Sequence, residues 1–249
     1  MSPDTRRHRG AHPSDGKLFH SDHLPALREA TADLSWLLSR GYAAASSLKM
    51  VGDRRRLSAR QRAAVARAAC SDDHLRIRAA SALPFNELKD KDLVIDGLNL
   101  LITIEAALSG AVLIRCRDGC IRDLSSVHGS YRSVEETGQA IRMVGQILAA
   151  AGPSSVEWLL DRPVSNSGRL ALMIRGAAAE GLWPWTVELK FNPDREMIGS
   201  TAVVISSDSV ILDQAAAWFN LAALLVLGDA GCNGRDKAIA DPWVVDLSC

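Results

Sequence analysis

Asp96, Asp161 and Asp208 each stand just past a short apolar run: Leu93-Val94-Ile95, Trp158-Leu159-Leu160, and Val203-Val204-Ile205 followed by Ser206-Ser207. In a parallel sheet covered by helices, runs of this kind are strands. Their carboxyl ends share one edge, which is where open α/β sheets take their ligands. Acids far apart in sequence can therefore converge. Several carboxylates in one cleft repel one another unless a cation neutralises them, and Mg²⁺ or Mn²⁺ does so through oxygen ligands. A divalent ion held there orients a water, lowers its pKa and offsets charge on a phosphate. That is the requirement for phosphodiester hydrolysis. Taken singly, each aspartate is also explained as a helix cap, and Asp161 before Arg162-Pro163 fits that well. The three together favour a site. Asp213, five residues after Asp208, lies either near it or on a helix surface.

The elements that must position these acids alternate strand and helix from residue 93 onward. Gly97 lets the chain turn where the first strand ends, and residues 100–108 follow as a helix. Residues 111–116 and 121–124 pair across an Asp118-Gly119 hairpin turn. Residues 133–151 read as a long helix with a Ser133/Glu136 capping box. Residues 155–160 form a second parallel strand, 166–181 a helix, 185–191 a third strand and 201–206 a fourth. Residues 210–218 are helical, and 221–227 form a last central strand. The pattern predicts an α/β domain, 91–249, with a mostly parallel sheet and helices on both faces. Ser165, Asn166 and Ser167 can cap the helix that follows them or offer amides to a phosphate. Trp183 and Trp185 are core candidates.

Ahead of that domain the sequence predicts a disordered tail, 1–23, and a small all-α domain, 24–90. The tail's Arg6, Arg7, His8 and Arg9 could touch nucleic acid, although a solvated tail explains them too. Apolar residues at helical spacing mark 24–38, and Ser58 caps a helix over 59–69. A short helix and a linker fill 71–92. The net charge is zero, yet residues 1–90 hold 16 Lys and Arg against 10 Asp and Glu, and the remainder 13 against 19. Lys49, Arg54, Arg55, Arg56, Arg60, Arg62 and Arg67 crowd one stretch that holds a single acid, Asp53. Phosphate contact is the functional reading of this stretch. A solvated face, or arginines paired with acids elsewhere, is the structural alternative.

With 249 residues, 47% of them hydrophobic, the chain can bury a sizeable core. No apolar run approaches the roughly 18 residues that span a bilayer, and residues 1–22 lack the apolar centre of a secretory signal. A cytoplasmic location is expected. Cys70, Cys116, Cys120, Cys232 and Cys249 are odd in number and include no Cys-x-x-Cys, so reduced thiols are expected rather than a disulfide framework or a zinc site. Glycine-rich nucleotide-binding loops are absent.

Asp96-Gly97-Leu98-Asn99 resembles the opening motif of PIN and NYN-type nucleases, in which an aspartate ends the first strand. Val203-Val204-Ile205-Ser206-Ser207-Asp208-Ser209 resembles their later strand, whose Ser-x-Asp-type turn supplies a further metal ligand. Residues 24 to roughly 229 also resemble a prokaryotic family that joins a small basic N-terminal domain to a PIN-like domain. The resemblance implies a PIN-like (Rossmann-like) fold and a metal-dependent ribonuclease. Asp96, Asp161 and Asp208 would be catalytic and would hold Mg²⁺ or Mn²⁺, with Asp213 as a further metal candidate. Asn99 and Ser209 would orient ligands or substrate. Ser165, Asn166, Lys49, Arg54, Arg55, Arg56 and Arg60 would hold RNA, the expected partner, and a homodimer stays open. The helix-borne acid of PIN domains has no sharp match; Glu135 and Glu136 are candidates. The insert 115–131 departs from the pattern, and its Asp118, Asp123 and His128 could reach the cleft, although Asp118 is better explained by the turn. A non-catalytic RNA-binding module and a Rossmann-like phosphatase, in which Asp96 would be a nucleophile, are the rival readings.

Overall fold

The structure is a computed structural model, and it describes residues 8–125, 131–228 and 238–248. The central strand β1 (Asp92–Asp96) runs into the helix α6 (Gly97–Leu108), with Asp96 itself as N-cap. Gly97 is required here by close approach, not by a special backbone angle. A Cβ at Gly97 would come within 2.6 Å of the Leu160 side chain and 3.1 Å of the Leu159 carbonyl. Among the described residues, the strands β4 (Ser155–Asp161), β5 (Trp185–Lys190) and β6 (Val203–Ile205) join β1 in the order β5-β4-β1-β6, all parallel. Alternation along the strands assigns the two faces. Leu93, Ile95, Trp158, Leu160, Val187, Val203 and Ile205 pack with α6 and with α7 (Thr137–Ala151), α8 (Ser167–Gly181) and α11 (Leu221–Leu227). Val94, Leu159 and Val204 face the other way, against Met197 of α9 (Pro193–Ile198) and Ile211 and Leu212 of α10 (Ser209–Leu212). The expected parallel sheet, covered by helices on both faces, is present.

A second sheet, in the order β3-β2-β7, is formed by β2 (Leu113–Arg115), β3 (Ile121–Asp123) and β7 (Val244–Asp246). β2 and β3 are the predicted hairpin. The N-terminal region is all helical: α1 (Asp15–Leu18), α2 (Leu24–Leu38), α3 (Ala44–Arg54), α4 (Ala59–Ala68) and α5 (Asp72–Ser81). α4 starts on a complete Ser58/Gln61 capping box. Leu27, Leu34, Val51 and Val65 share one core with Ile114 and Val245 of the second sheet and with Leu247, which follows it. The helices therefore share a core with the α/β part.

Several sequence expectations are corrected. Residues 8–23 are folded: Phe19 is buried in the helical core, and the fully buried Asp15 is held by Arg60. Residues 1–7, with Arg6 and Arg7, lie outside the described residues, as do His128, Cys232 and Cys249. α7 begins at Thr137, and the Ser133/Glu136 box does not form. The Thr137 hydroxyl accepts from the Val134 amide instead (2.9 Å), and Glu136 pairs with His8 (2.6 Å). The helix expected over 210–218 stops at Leu212. Trp218 turns into an isolated bridge with Val204 and Ala82. Residues 221–227 are a helix, not a strand. Their Leu-Ala-Ala-Leu-Leu composition suits a helix, the Asn220 side chain caps it by accepting from the Ala223 amide (3.2 Å), and Leu221, Ala222, Leu225 and Val226 form its buried stripe. Cys70, Cys116 and Cys120 are buried free thiols, as expected. Among the described residues no helix is long and apolar enough to cross a membrane.

An ion network joins the helical region to the sheets. Asp118 accepts from Arg78 (2.5 Å) and twice from Arg122 (2.7 and 3.1 Å), and Arg78 also reaches Asp213 (2.7 Å). Burial alone would raise the Asp118 carboxyl; the Arg122 and Arg78 guanidiniums outweigh it and hold the pKa below the usual carboxylate range. Removing one partner of such a buried pair strands the other charges. Asp118→Ala is expected to cost about 3–5 kcal/mol in denaturant unfolding at pH 7. Because the folded pKa is depressed, that stabilisation is present above about pH 4 and disappears as the pH falls through the folded value. The wild-type and Asp118→Ala stability curves should therefore approach each other on acidification.

Candidate functional site

Parallel pairing brings three predicted acids to one edge. Asp96 ends β1 and pairs in register with Leu159, two residues before Asp161; Val203 to Ile205 pair with Leu93 to Ile95, so Ser206 follows beside Asp96 and Asp208 comes two residues later. The junction is crosslinked. The Ser206 hydroxyl donates to Asp96 Oδ2 (2.8 Å) and accepts from the Asp208 amide (3.0 Å). Asn99 Oδ1 accepts from both the amide (2.9 Å) and the hydroxyl (2.8 Å) of Ser207. Asp96 Oδ1 takes the Asn99 amide (3.3 Å), and Asp208 Oδ1 caps α10 through the Val210 (2.8 Å) and Ile211 amides. Asp96 and Asp208 thus each close a helix N-terminus, the ordinary role, while remaining at the shared edge; Asp161 caps no helix, because α8 starts only after Asn166.

A fourth acid, Asp194, belongs to the group and was missed in the sequence. It lies in the first turn of α9, just after β5, and Asn192 caps that turn by accepting from the Arg195 amide (3.2 Å). The signal was Asn192-Pro193-Asp194, a helix start directly behind a predicted strand. Electrostatics tie the four together. Burial pushes the Asp96 carboxyl up to about 7, the Ser206 and Asn99 hydrogen bonds oppose this, and Asp194 and Asp208 add to it. Asp161 is raised by burial and by Asp194; Asp194 is raised by partial burial and by Asp208.

Of the other acids that the described core encloses, Asp15 holds Arg60, Glu105 holds Arg9, and Asp118 holds Arg78 and Arg122. Among the described residues, Asp96, Asp161, Asp194 and Asp208 have no cationic partner. Among the described residues, no group of three or more His, Cys, Asp or Glu is placed so that it could hold a metal ion.

The remaining candidates fall elsewhere. Asp213 is taken by Arg78 and by His74 (2.9 Å), so it is not available as a ligand. Asn166 has a left-handed backbone (φ 70°) and sends its amide to the Tyr131 carbonyl (2.8 Å), while the Ser165 carbonyl accepts from the Tyr131 amide. Both fix a chain crossing; neither caps α8. Lys49 pairs with Asp53 (2.7 Å), Arg55 with Glu29 and with Asp33 (2.9 Å), and Arg60 with Asp15. Arg54 and Arg56 are exposed. Glu135 and Glu136 lie beside His8. Trp183 stacks on Trp185 (4.8 Å) and fills the space left by Gly145 and Gly181, so it is a packing residue. Ser209 and Asp123 line a recess beside Asp208.

Residues 85–224 match the family model described as "Domain of unknown function (DUF5616)", which covers more than half of the chain. The chain belongs to the DUF5616 family. Residues 26–80 match a second model, "Protein of unknown function (DUF434)", so the basic helical region and the α/β region carry separate family signatures. The chain is similar to the protein described as Uncharacterized protein MJ0935 of Methanocaldococcus jannaschii, with 31% identity over 191 residues, covering 75% of this chain and 89% of that one. No solved structure matches it.

The sign of the Asp96 shift gives a test in EDTA. Below about pH 4 the carboxyl is protonated in folded and unfolded chains alike. As the pH rises from about 4 to 7 the unfolded chain loses the proton and the folded chain keeps it, so stability falls; above 7 the penalty is complete. Asp96→Asn carries no charge and keeps one acceptor oxygen for the Asn99 cap amide, while its Nδ2 faces the Ser206 hydroxyl, which then accepts instead of donating. It should be more stable than wild type at pH 8, by on the order of 2 kcal/mol, with the gap closing toward pH 4 in thermal melts.

Proposed function

We propose that the chain is a PIN-like, metal-dependent nuclease acting on RNA. One observation carries the reading: Asp96 is buried without a counter-ion among the described residues, at an edge it shares with three more unpaired carboxylates, whereas other enclosed acids hold arginines. Unneutralised carboxylates near one another call for a cation.

The donor set fits Mg²⁺ or Mn²⁺ in kind. All four groups are carboxylate oxygens, and the edge has no sulfur or imidazole donor among the described residues to favour a softer metal. It fits an ion anchored by one or two carboxylates and otherwise hydrated, the usual habit of Mg²⁺, better than a closed protein cage. Asp96 and Asp208 would hold such an ion, and Asp161 and Asp194 would add negative charge at the same edge. The ion would supply charge neutralisation and a more acidic water.

The chain's own residues do the rest. Ser206 fixes the Asp96 carboxylate and, through the Asp208 amide, the turn that carries the second acid. Asn99 holds Ser207 and so locks the distance between the ends of β1 and β6. Such positioning accounts for much of the rate in phosphoryl chemistry. A second reading, an RNA-binding module that does not cleave, is favoured by one observation: no three ligands are pre-assembled among the described residues.

Incubated with single-stranded and structured RNA, wild type is expected to cleave with Mn²⁺ or Mg²⁺ and to stop in EDTA. Asp96→Asn and Asp208→Asn should lower the rate at least about 100-fold, the scale of losing a positioned electrostatic group. The surface control Glu180→Gln should match wild type. RNA binding without cleavage under every metal condition would select the second reading.

A further inference from the structure

The basic N-terminal region was expected to hold substrate through residues 49–60, yet most of that charge is spent within the region itself. Lys49 and Arg62 share Asp53, Arg55 takes Glu29 and Asp33, and Arg60 takes Asp15. Arg67, at the end of α4, differs. Among the described residues it faces no carboxylate at ion-pair distance; its guanidinium donates to the Ser125 carbonyl (3.1 Å), which leaves its charge uncompensated.

Arg67 also lies beside Asp208. It lines a recess of about 220 Å³ together with Arg122, Asn99, Asp123, Ser207 and Asp208. The position is braced. Arg122 donates to the Arg67 carbonyl (3.1 Å) and to the Ser207 carbonyl (2.7 Å), and so ties the end of α4 to the turn that carries Asp208. Arg122 itself is neutralised by Asp118.

We propose that this recess is a phosphate seat and that Arg67 is its binding residue, gripping a phosphodiester of the RNA strand next to Asp208. The proposal rests on reading the acidic edge as the nucleic-acid site. A polyanion approaching carboxylates meets repulsion, and a fixed cation at the rim offsets it. A guanidinium does so with a planar, two-pronged donor set that matches two phosphate oxygens, which an ammonium does not reproduce. The helical region then contributes to the site through one residue at its junction with the sheet.

The test is fluorescence anisotropy of a labelled single-stranded RNA 12-mer, titrated with full-length protein in Ca²⁺ and in EDTA across a salt series. Arg67→Ala should weaken binding about tenfold or more and reduce the slope of log affinity against log salt by about 1. Arg67→Lys should keep the slope and recover part of the affinity. Arg142→Ala, an exposed charge on α7, should do less than Arg67→Ala. Unchanged affinity and slope in a folded Arg67→Ala, or a loss no greater than that of Arg142→Ala, overturns the proposal. Absence of RNA binding by wild type overturns it too, including the case in which inorganic phosphate alone raises the melting temperature. If the Arg67 effect appears but Mn²⁺ yields no cleavage, the seat stands and the nuclease reading fails.

Discussion

A carboxylate without a counter-charge inside a protein core is the constraint on which this structure turns. Asp96 ends the central strand of a parallel sheet, and its neighbours on both sides bring more acid to the same edge. The fold tolerates it by hydrogen bonds alone: the Ser206 hydroxyl and the Asn99 amide. Elsewhere the same chain neutralises enclosed acids with arginine, at Asp15, Glu105 and Asp118. That contrast separates acids paired with arginine from acids that have no cationic partner among the described residues. Folding alone would favour an arginine or a neutral side chain at residue 96.

The division extends to the two segments with separate family signatures. Their interface combines a shared apolar core with structural charge, the Arg78, Asp118, Arg122 and Asp213 network. Arg122 belongs to that network and also reaches the Ser207 carbonyl, so the brace between the segments touches the turn that carries Asp208. One guanidinium thus bonds both the end of α4 and the turn that carries Asp208.

Much of the fold was legible because strand and helix periods differ and because short β-branched runs in this chain end in polar residues. The strand ends at Asp96, Asp161 and Asp208 could be read from that pattern. What misled was local ambiguity. Residues 221–227 are apolar throughout, so periodicity could not tell strand from helix; Asn220 decides it by capping. The polar stretch 8–23 lacks the apolar content of a core, yet Phe19 and the Asp15–Arg60 pair anchor it, a long-range event with no local signature. Asp194 escaped notice because it sits a turn past its strand, and Asp213 misled because proximity in sequence to Asp208 says nothing about Arg78, 135 residues away. The density of arginine in residues 49–67 was visible; which of them remained uncompensated depended on tertiary pairing.

The proposed nuclease activity requires a shared cation at the edge where β1 and β6 end. Anomalous diffraction from crystals soaked in Mn²⁺ tests this directly. A peak is expected in direct contact with carboxylate oxygens of Asp96 and Asp208, absent from Asp96→Asn crystals soaked in the same way. An edge that stays empty in Mn²⁺-soaked wild-type crystals, with a cationic side chain folded onto Asp96 instead, would contradict it.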